Sequence, residues 1–188
     1  EPDSEEAFER IASWGVKTIL SVDGKAPLVE AAAQLGMRYV HVPIQYNGIT
    51  EDELLRMAKT FRELPGPFYV HCFHGKHRGP AAAAVGRLVL DNSSREQALG
   101  EMRQWMGTSP AYEGLYATIA STGMPEIAQS ETCDWNFTSS VGVAGMKEAM
   151  VMATRAFENL NALKSNSWMV DPTHPDLVPE QEALRLAE

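Results

Sequence analysis

Three short apolar runs, separated by stretches with helical periodicity, constrain this chain more than any other feature. Val16–Val22 (VKTILSV), Arg38–Ile44 (RYVHVPI) and Phe68–His71 read as strands. Between them, Leu28–Leu35 closes on Gly36, and a helix capped by Thr50, with Glu53 at capping-box spacing, runs to about Leu64 before Pro65-Gly66-Pro67. A first helix is expected over Glu5–Trp14 behind the cap Ser4. Strands that alternate with helices favour parallel pairing through right-handed crossovers. The expectation is an α/β fold with a parallel-stranded central sheet flanked by helices. Helices over Pro80–Leu90, Ser94–Met106 and Pro110–Ala120 complete the core.

Beyond Gly123 the pattern changes. Pro125–Gly142 is polar and irregular, and Met146, Met150, Ala153, Phe157 and Leu160 then recur at helical spacing. Asp171–Glu188 carries prolines and then an acidic helical stretch. This divides the chain into residues 1–123 and a helical C-terminal extension, 124–188, expected to pack on the core through its Met and aromatic stripe. Trp135, Cys133 and His174 are read as structural.

Composition excludes several classes. The chain has 188 residues with 44% hydrophobic and 22% charged, so it can bury a substantial core. Its net charge of −9 argues against a general nucleic-acid binder, so any anion site must be locally basic. No apolar run reaches the roughly 18 residues of a membrane span. Cys72 and Cys133 are too few for a disulfide framework, and a reduced thiol favours the cytoplasm. Because the sequence starts at Glu1 rather than Met, whether a leader was removed by processing or by design is left open, and the compartment is not readable from this end.

The chemistry concentrates in His71-Cys72-Phe73-His74-Gly75-Lys76-His77-Arg78-Gly79, between a strand and a helix. Backbone N–H groups of such a loop and of the helix N-terminus converge on an anion, and Arg78 can grip two of its oxygens. The same field favours the thiolate of Cys72. Cys72 with His71, His74 and His77 is also a possible zinc ligand set. A loop curled around an anion, however, points its amides inward and its side chains outward. A sulfur-transfer loop fits the Gly75–Arg78 run poorly.

Cys72 to Arg78, with His71 before it, resembles the Cys-x5-Arg loop of the cysteine-dependent protein tyrosine and dual-specificity phosphatases. Gly75-Lys76-His77-Arg78 is similar to the plant and fungal atypical dual-specificity phosphatases, some of which act on inositol pyrophosphates. The resemblance implies that Cys72 attacks phosphorus, and that Arg78 and the backbone of residues 73–78 hold the equatorial oxygens. His71, Phe73, His74, Gly75, Lys76, His77 and Gly79 would surround the phosphate, with no metal or other cofactor. Lys76, His74 and His77 would lend positive charge to a multiply phosphorylated substrate. The implied partner is a phosphoprotein or an inositol polyphosphate.

Two positions depart from that pattern. The general acid is expected near Asn47, where an amide stands, leaving Glu51, Asp52 and Asp23 as other candidate acids. Gly79 replaces the Ser or Thr whose hydroxyl assists departure of the Cys. The alternative is therefore an impaired pseudophosphatase that binds phosphorylated ligands.

Overall fold

β1 (Thr18–Ser21) is buried at every position, which makes it the centre of the sheet. The computed structural model describes residues 1–104, 107–142, 146–170, 178–180 and 182–183. β2 (Arg38–His41) and β3 (Phe68–His71) lie on either side of β1, both parallel to it, in the order β2-β1-β3. Thr18 is in register with Arg38 and Phe68, and Ser21 with His41 and His71.

Alternation along the strands separates two cores. Ile19 and Tyr39 face Phe8 and Ile11 of α1 (Glu5–Ser13) and Ala32 of α2 (Val29–Gln34). Leu20 and Val40 face the larger core, with α3 (Glu51–Glu63), α4 (Arg78–Leu90), α5 (Arg95–Gln104) and α6 (Glu113–Ser121). The local signals act as expected: Ser4 Oγ accepts the Ala7 N–H, and Thr50 and Glu53 form a complete capping box. The Ala-rich α4 buries nine of its thirteen residues, since small side chains let its backbone approach the sheet.

The crossover containing α2 lies on one face and that containing α3 on the other. The chain thus reverses direction across the sheet between β1 and β3, and their carboxyl ends flank the crevice where open α/β sheets bind ligands.

The division of the chain comes later than the composition shift implies. Its two compact units are Glu1–Gly142 and Val143–Glu188, not 1–123 and 124–188. Residues 124–142 belong to the first unit because they are tied to it throughout. α7 (Met124–Ala128) leads into a short 3-10 helix, Gln129–Thr132, which packs on α3. Arg62 holds Ser130, Lys59 Nζ donates to the Cys133 carbonyl at 2.5 Å, and the His41 N–H donates to the Thr138 carbonyl at 2.9 Å.

The second unit contains α8 (Met146–Ser165). Phe157, expected on its inward stripe, is 58% exposed. Among the described residues its buried positions are Arg155, Ala156, Asn159 and Leu163, a face built around the hydrogen bond from Asn159 Nδ2 to Glu182 Oε2 (2.8 Å). The Met146 and Met150 side chains, Met106, His174 and most of 171–188 lie outside the described residues.

Candidate active site

β3 ends at His71, and α4 begins at Arg78, so residues 72–77 turn the chain from sheet to helix at the crevice. Gly75 takes φ +72, a left-handed conformation that suits glycine in so tight a turn. His77 occupies the N-cap without a side-chain cap bond, and α4 has no acidic residue in its first turn. Its first N–H groups thus have no carboxylate of their own helix competing with an incoming anion.

Cys72 is 2% exposed and Arg78 5% exposed. Arg78 Nη2 donates to Asp23 Oδ1 at 2.8 Å, and the Tyr46 ring lies 4.6 Å from its Cζ. Burial alone would lower the Arg78 pKa, but Tyr46, Asp23 and Cys72 together raise it. Its buried Nε has no hydrogen-bond partner among the described residues. A buried guanidinium N–H in that condition is costly unless something else accepts from it.

His71 lies beneath the loop rather than on its rim. Its Nδ1–H points to the Cys72 carbonyl at 3.3 Å, and its Nε2 accepts the Tyr39 hydroxyl at 2.6 Å. Burial lowers its pKa to about 4, so it is neutral at pH 7 and orients the backbone at Cys72. His77 Nδ1 accepts the Ser109 N–H at 3.2 Å. Burial, then Lys76, His74 and Arg78, bring the His77 pKa to about 4 as well. The positive charge expected of His77 is therefore absent near neutral pH. Phe73, His74, Gly75 and Lys76 are half-buried, and Phe73 and His74 pack edge to face at 4.6 Å. The Lys76 carbonyl accepts the Thr108 hydroxyl at 3.0 Å, fixing the far side of the loop.

Gly79 sits directly against the cysteine. A Cβ there would lie 3.4 Å from Cys72 N and 3.6 Å from Cys72 Sγ. This is ordinary contact distance, so space for a side chain exists where the hydroxyl is missing.

Of the candidate acids, the structure brings Asp23 to Arg78. Asp52 pairs instead with Arg56 on α3, at 2.8 Å. Asn47 is exposed, and it and Glu51 line an open groove of about 780 Å³ toward α6, whose lining includes no residue of the 72–78 loop. The Asn47 backbone is pressed against α6: a Cβ at Gly114 would lie 1.8 Å from the Asn47 carbonyl oxygen. Among the described residues no three of His, Cys, Asp and Glu are grouped to hold a metal.

An aromatic wall escaped the sequence reading. Tyr46 stacks on Tyr112 (4.6 Å between centroids, 27° between planes), and Tyr112 packs on His77 at 4.6 Å. Tyr46 is adjacent to Asn47 in sequence, which was its one available signal; Tyr112, from the segment before α6, had none.

The Cys-x5-Arg loop therefore sits at the switch point of the parallel sheet, between β3 and α4. In sequence, the chain is 31% identical over 94 residues to the dual specificity protein phosphatase TpbA of Pseudomonas aeruginosa (strain UCBPP-PA14). That match covers 47% of this chain and 41% of TpbA, less than half of the relative's length. The crystal structure of P. aeruginosa TpbA superposes with a TM-score of 0.56 at 21% identity, covering 70% of this chain and 83% of that one. A Cys-to-Ser variant of TpbA in complex with pTyr gives 0.56 at 20% identity, covering 69% and 82%. No protein-family model matches the chain. The structural likeness establishes the fold, and the sequence likeness supports the same phosphatase superfamily. The relative is bacterial, and neither likeness singles out the plant and fungal branch.

Proposed function

We propose that this chain is a cysteine-dependent phosphatase of the dual-specificity type, hydrolysing phosphomonoesters through a phosphocysteine on Cys72. The observation that carries the reading is the buried Arg78 beside the switch point, its Nε without a partner among the described residues and its α-helix uncapped by side chains. That combination suits an anion, and Cys72 begins the loop that would enclose it.

In this mechanism Cys72 Sγ attacks phosphorus, the S–P bond forms, and the ester P–O bond breaks. Arg78 and the N–H groups of residues 73–78 stabilise the equatorial oxygens. Water then attacks the phosphocysteine, the S–P bond breaks, and inorganic phosphate leaves with Cys72 restored. With an amide at Asn47, the leaving oxygen departs without a proton from that position, so substrates with acidic leaving groups react best.

An aryl phosphate of the phosphotyrosine type is the favoured substrate, because Tyr46, Tyr112 and His77 form a neutral aromatic wall beside Arg78. The pTyr complex of the TpbA variant supports the same class. An inositol polyphosphate or pyrophosphate is the second substrate class, supported by Lys76 and by the likeness of the Gly75–Arg78 run to the atypical branch. The pseudophosphatase alternative is favoured by Asn47 and Gly79 together.

Phosphate release from an aryl phosphate and from an inositol polyphosphate, with Cys72→Ser as control, tests the proposal. Cys72-dependent release establishes the enzyme and ranks its substrates. No release from either, with phosphate still bound, makes the chain a binding module.

A further inference from the structure

Arg78 is held by contacts that continue well beyond the loop. Its Nη2 donates to Asp23 Oδ1 at 2.8 Å, with the two side chains 6% and 1% exposed. The same oxygen accepts the Gly24 N–H at 2.8 Å, so the carboxylate is oriented by its own turn. The Asp23 backbone is fixed in its place as well, since its carbonyl accepts His41 Nε2–H at 2.7 Å. His41, 1% exposed, uses its other ring nitrogen to accept the Val141 N–H at 2.9 Å. Both partners of the ring are backbone groups, one an acceptor and one a donor, so the neutral tautomer with its proton on Nε2 is specified.

We infer that Asp23 is the positioning residue for Arg78, and that His41 anchors Asp23 to residues 138–141 along the edge of β2. The inference rests on Arg78 being the phosphate-binding arginine. Simple electrostatics gives Asp23 the opposite role. A carboxylate beside a guanidinium offsets its positive field, so on charge alone its removal tightens anion binding. Orientation works the other way. Arginine has several rotatable bonds, and a fork serves an anion only when its plane is fixed. Asp23 pins one edge of that plane, the Tyr46 ring covers one face, and Nε is left as the open donor.

The two roles differ in sign, which makes the test decisive. Binding of inorganic phosphate to the Cys72→Ser chain is measured by calorimetry, alone and with Arg78→Met, Asp23→Ala, Asp23→Asn or His41→Phe. Asp23→Ala is expected to weaken binding about twentyfold although it removes a negative charge, by loss of a charge-assisted contact. Asp23→Asn keeps an acceptor oxygen and is expected to stay within about threefold. His41→Phe is expected to weaken binding about fivefold, and to have no further effect once Asp23 is Ala, because it acts through that residue.

Binding by Asp23→Ala as tight as its parent, or tighter, overturns the inference and leaves the phosphatase reading standing. If near-UV circular dichroism shows Asp23→Ala unfolded, Asp23→Asn decides, and tightening of about tenfold or more overturns the positioning role. No phosphate binding by the Cys72→Ser chain, or binding indifferent to Arg78→Met, overturns instead the reading on which the inference rests.

Discussion

Replacing Gly79 by serine should accelerate breakdown of the phosphocysteine. A Cβ at this position meets Cys72 N at 3.4 Å, Cys72 Sγ at 3.6 Å and the His71 carbonyl carbon at 3.6 Å, so nothing has to move. Its place in α4 makes a side chain favourable by about 0.5–1 kcal/mol for alanine, and somewhat less for serine. One bond beyond that Cβ, the rotamer turned toward Cys72 brings a hydroxyl within hydrogen-bonding reach of Sγ. When the S–P bond breaks, negative charge returns to sulfur, and a hydrogen bond to a charged group contributes roughly 1.5–3 kcal/mol. That corresponds to a ceiling of roughly 10- to 150-fold on the second step. The assay is rapid quench with an aryl phosphate. The unsubstituted chain should release one equivalent of aryl alcohol in a burst and then turn over slowly. Gly79→Ser should raise the steady rate by about tenfold or more and shrink the burst. Gly79→Ala, with the same Cβ and no hydroxyl, should behave like the parent. If the serine and alanine variants have equal steady rates, the hydroxyl argument is refuted.

Gly114→Ala drives a Cβ to within 1.8 Å of the Asn47 carbonyl oxygen. It should displace the 45–48 loop, cost about 1–3 kcal/mol in urea unfolding, and lower kcat/KM. Gly100→Ala, with nothing within 4 Å, should instead stabilise by about 0.5–1 kcal/mol with activity unchanged. Burial holds the His71 pKa at about 4, below its ordinary 6.5. Between those values the unfolded chain binds more protons than the folded one, so stability is full above pH 6.5 and falls as pH drops through 4. The loss is about 3 kcal/mol in all, and urea midpoints across this range should show a shallower slope for His71→Gln. Asn47→Asp should raise kcat/KM for alkyl phosphates far more than for aryl phosphates. Equal gains on both would count against position 47 as the acid's place.

The strands, the caps at Ser4 and Thr50, and the Cys72–Arg78 loop were legible because each is written in adjacent residues. A short apolar run between helical stretches, a Thr with Glu three positions on, and a Cys-x5-Arg run need no knowledge of the rest of the fold. What was missed depends on distant pairs. Asp23 was one of three carboxylates with nothing to rank them, and only the parallel pairing of β1 with β3 brings the turn after β1 to Arg78. The lowered pKa of His77 is not legible locally, because its burial comes partly from Tyr112 and Ser109, more than thirty positions away. Residues 124–142 read as irregular because their order comes from α3 and β2 rather than from any pattern of their own.

The site also divides into a half that folding enforces and a half that it does not. Arg78, Asp23 and His41 are buried and hydrogen-bonded, so substitutions there disturb the core as well as the anion site. The two positions that would speed turnover are less tightly coupled: Asn47 is exposed, and Gly79, although buried in α4, leaves an added Cβ at ordinary contact distance, 3.4 Å from Cys72 N and 3.6 Å from Cys72 Sγ. A chain of this fold can therefore lose its acid and its hydroxyl while keeping its stability and its phosphate affinity. It can also regain them by single substitutions. Because Asn47→Asp acts on formation of the phosphocysteine and Gly79→Ser on its breakdown, each single change leaves the other step limiting for an alkyl phosphate. The double variant should then exceed the sum of the two single gains in kcat. An aryl phosphate, whose first step needs no acid, should respond to Gly79→Ser alone.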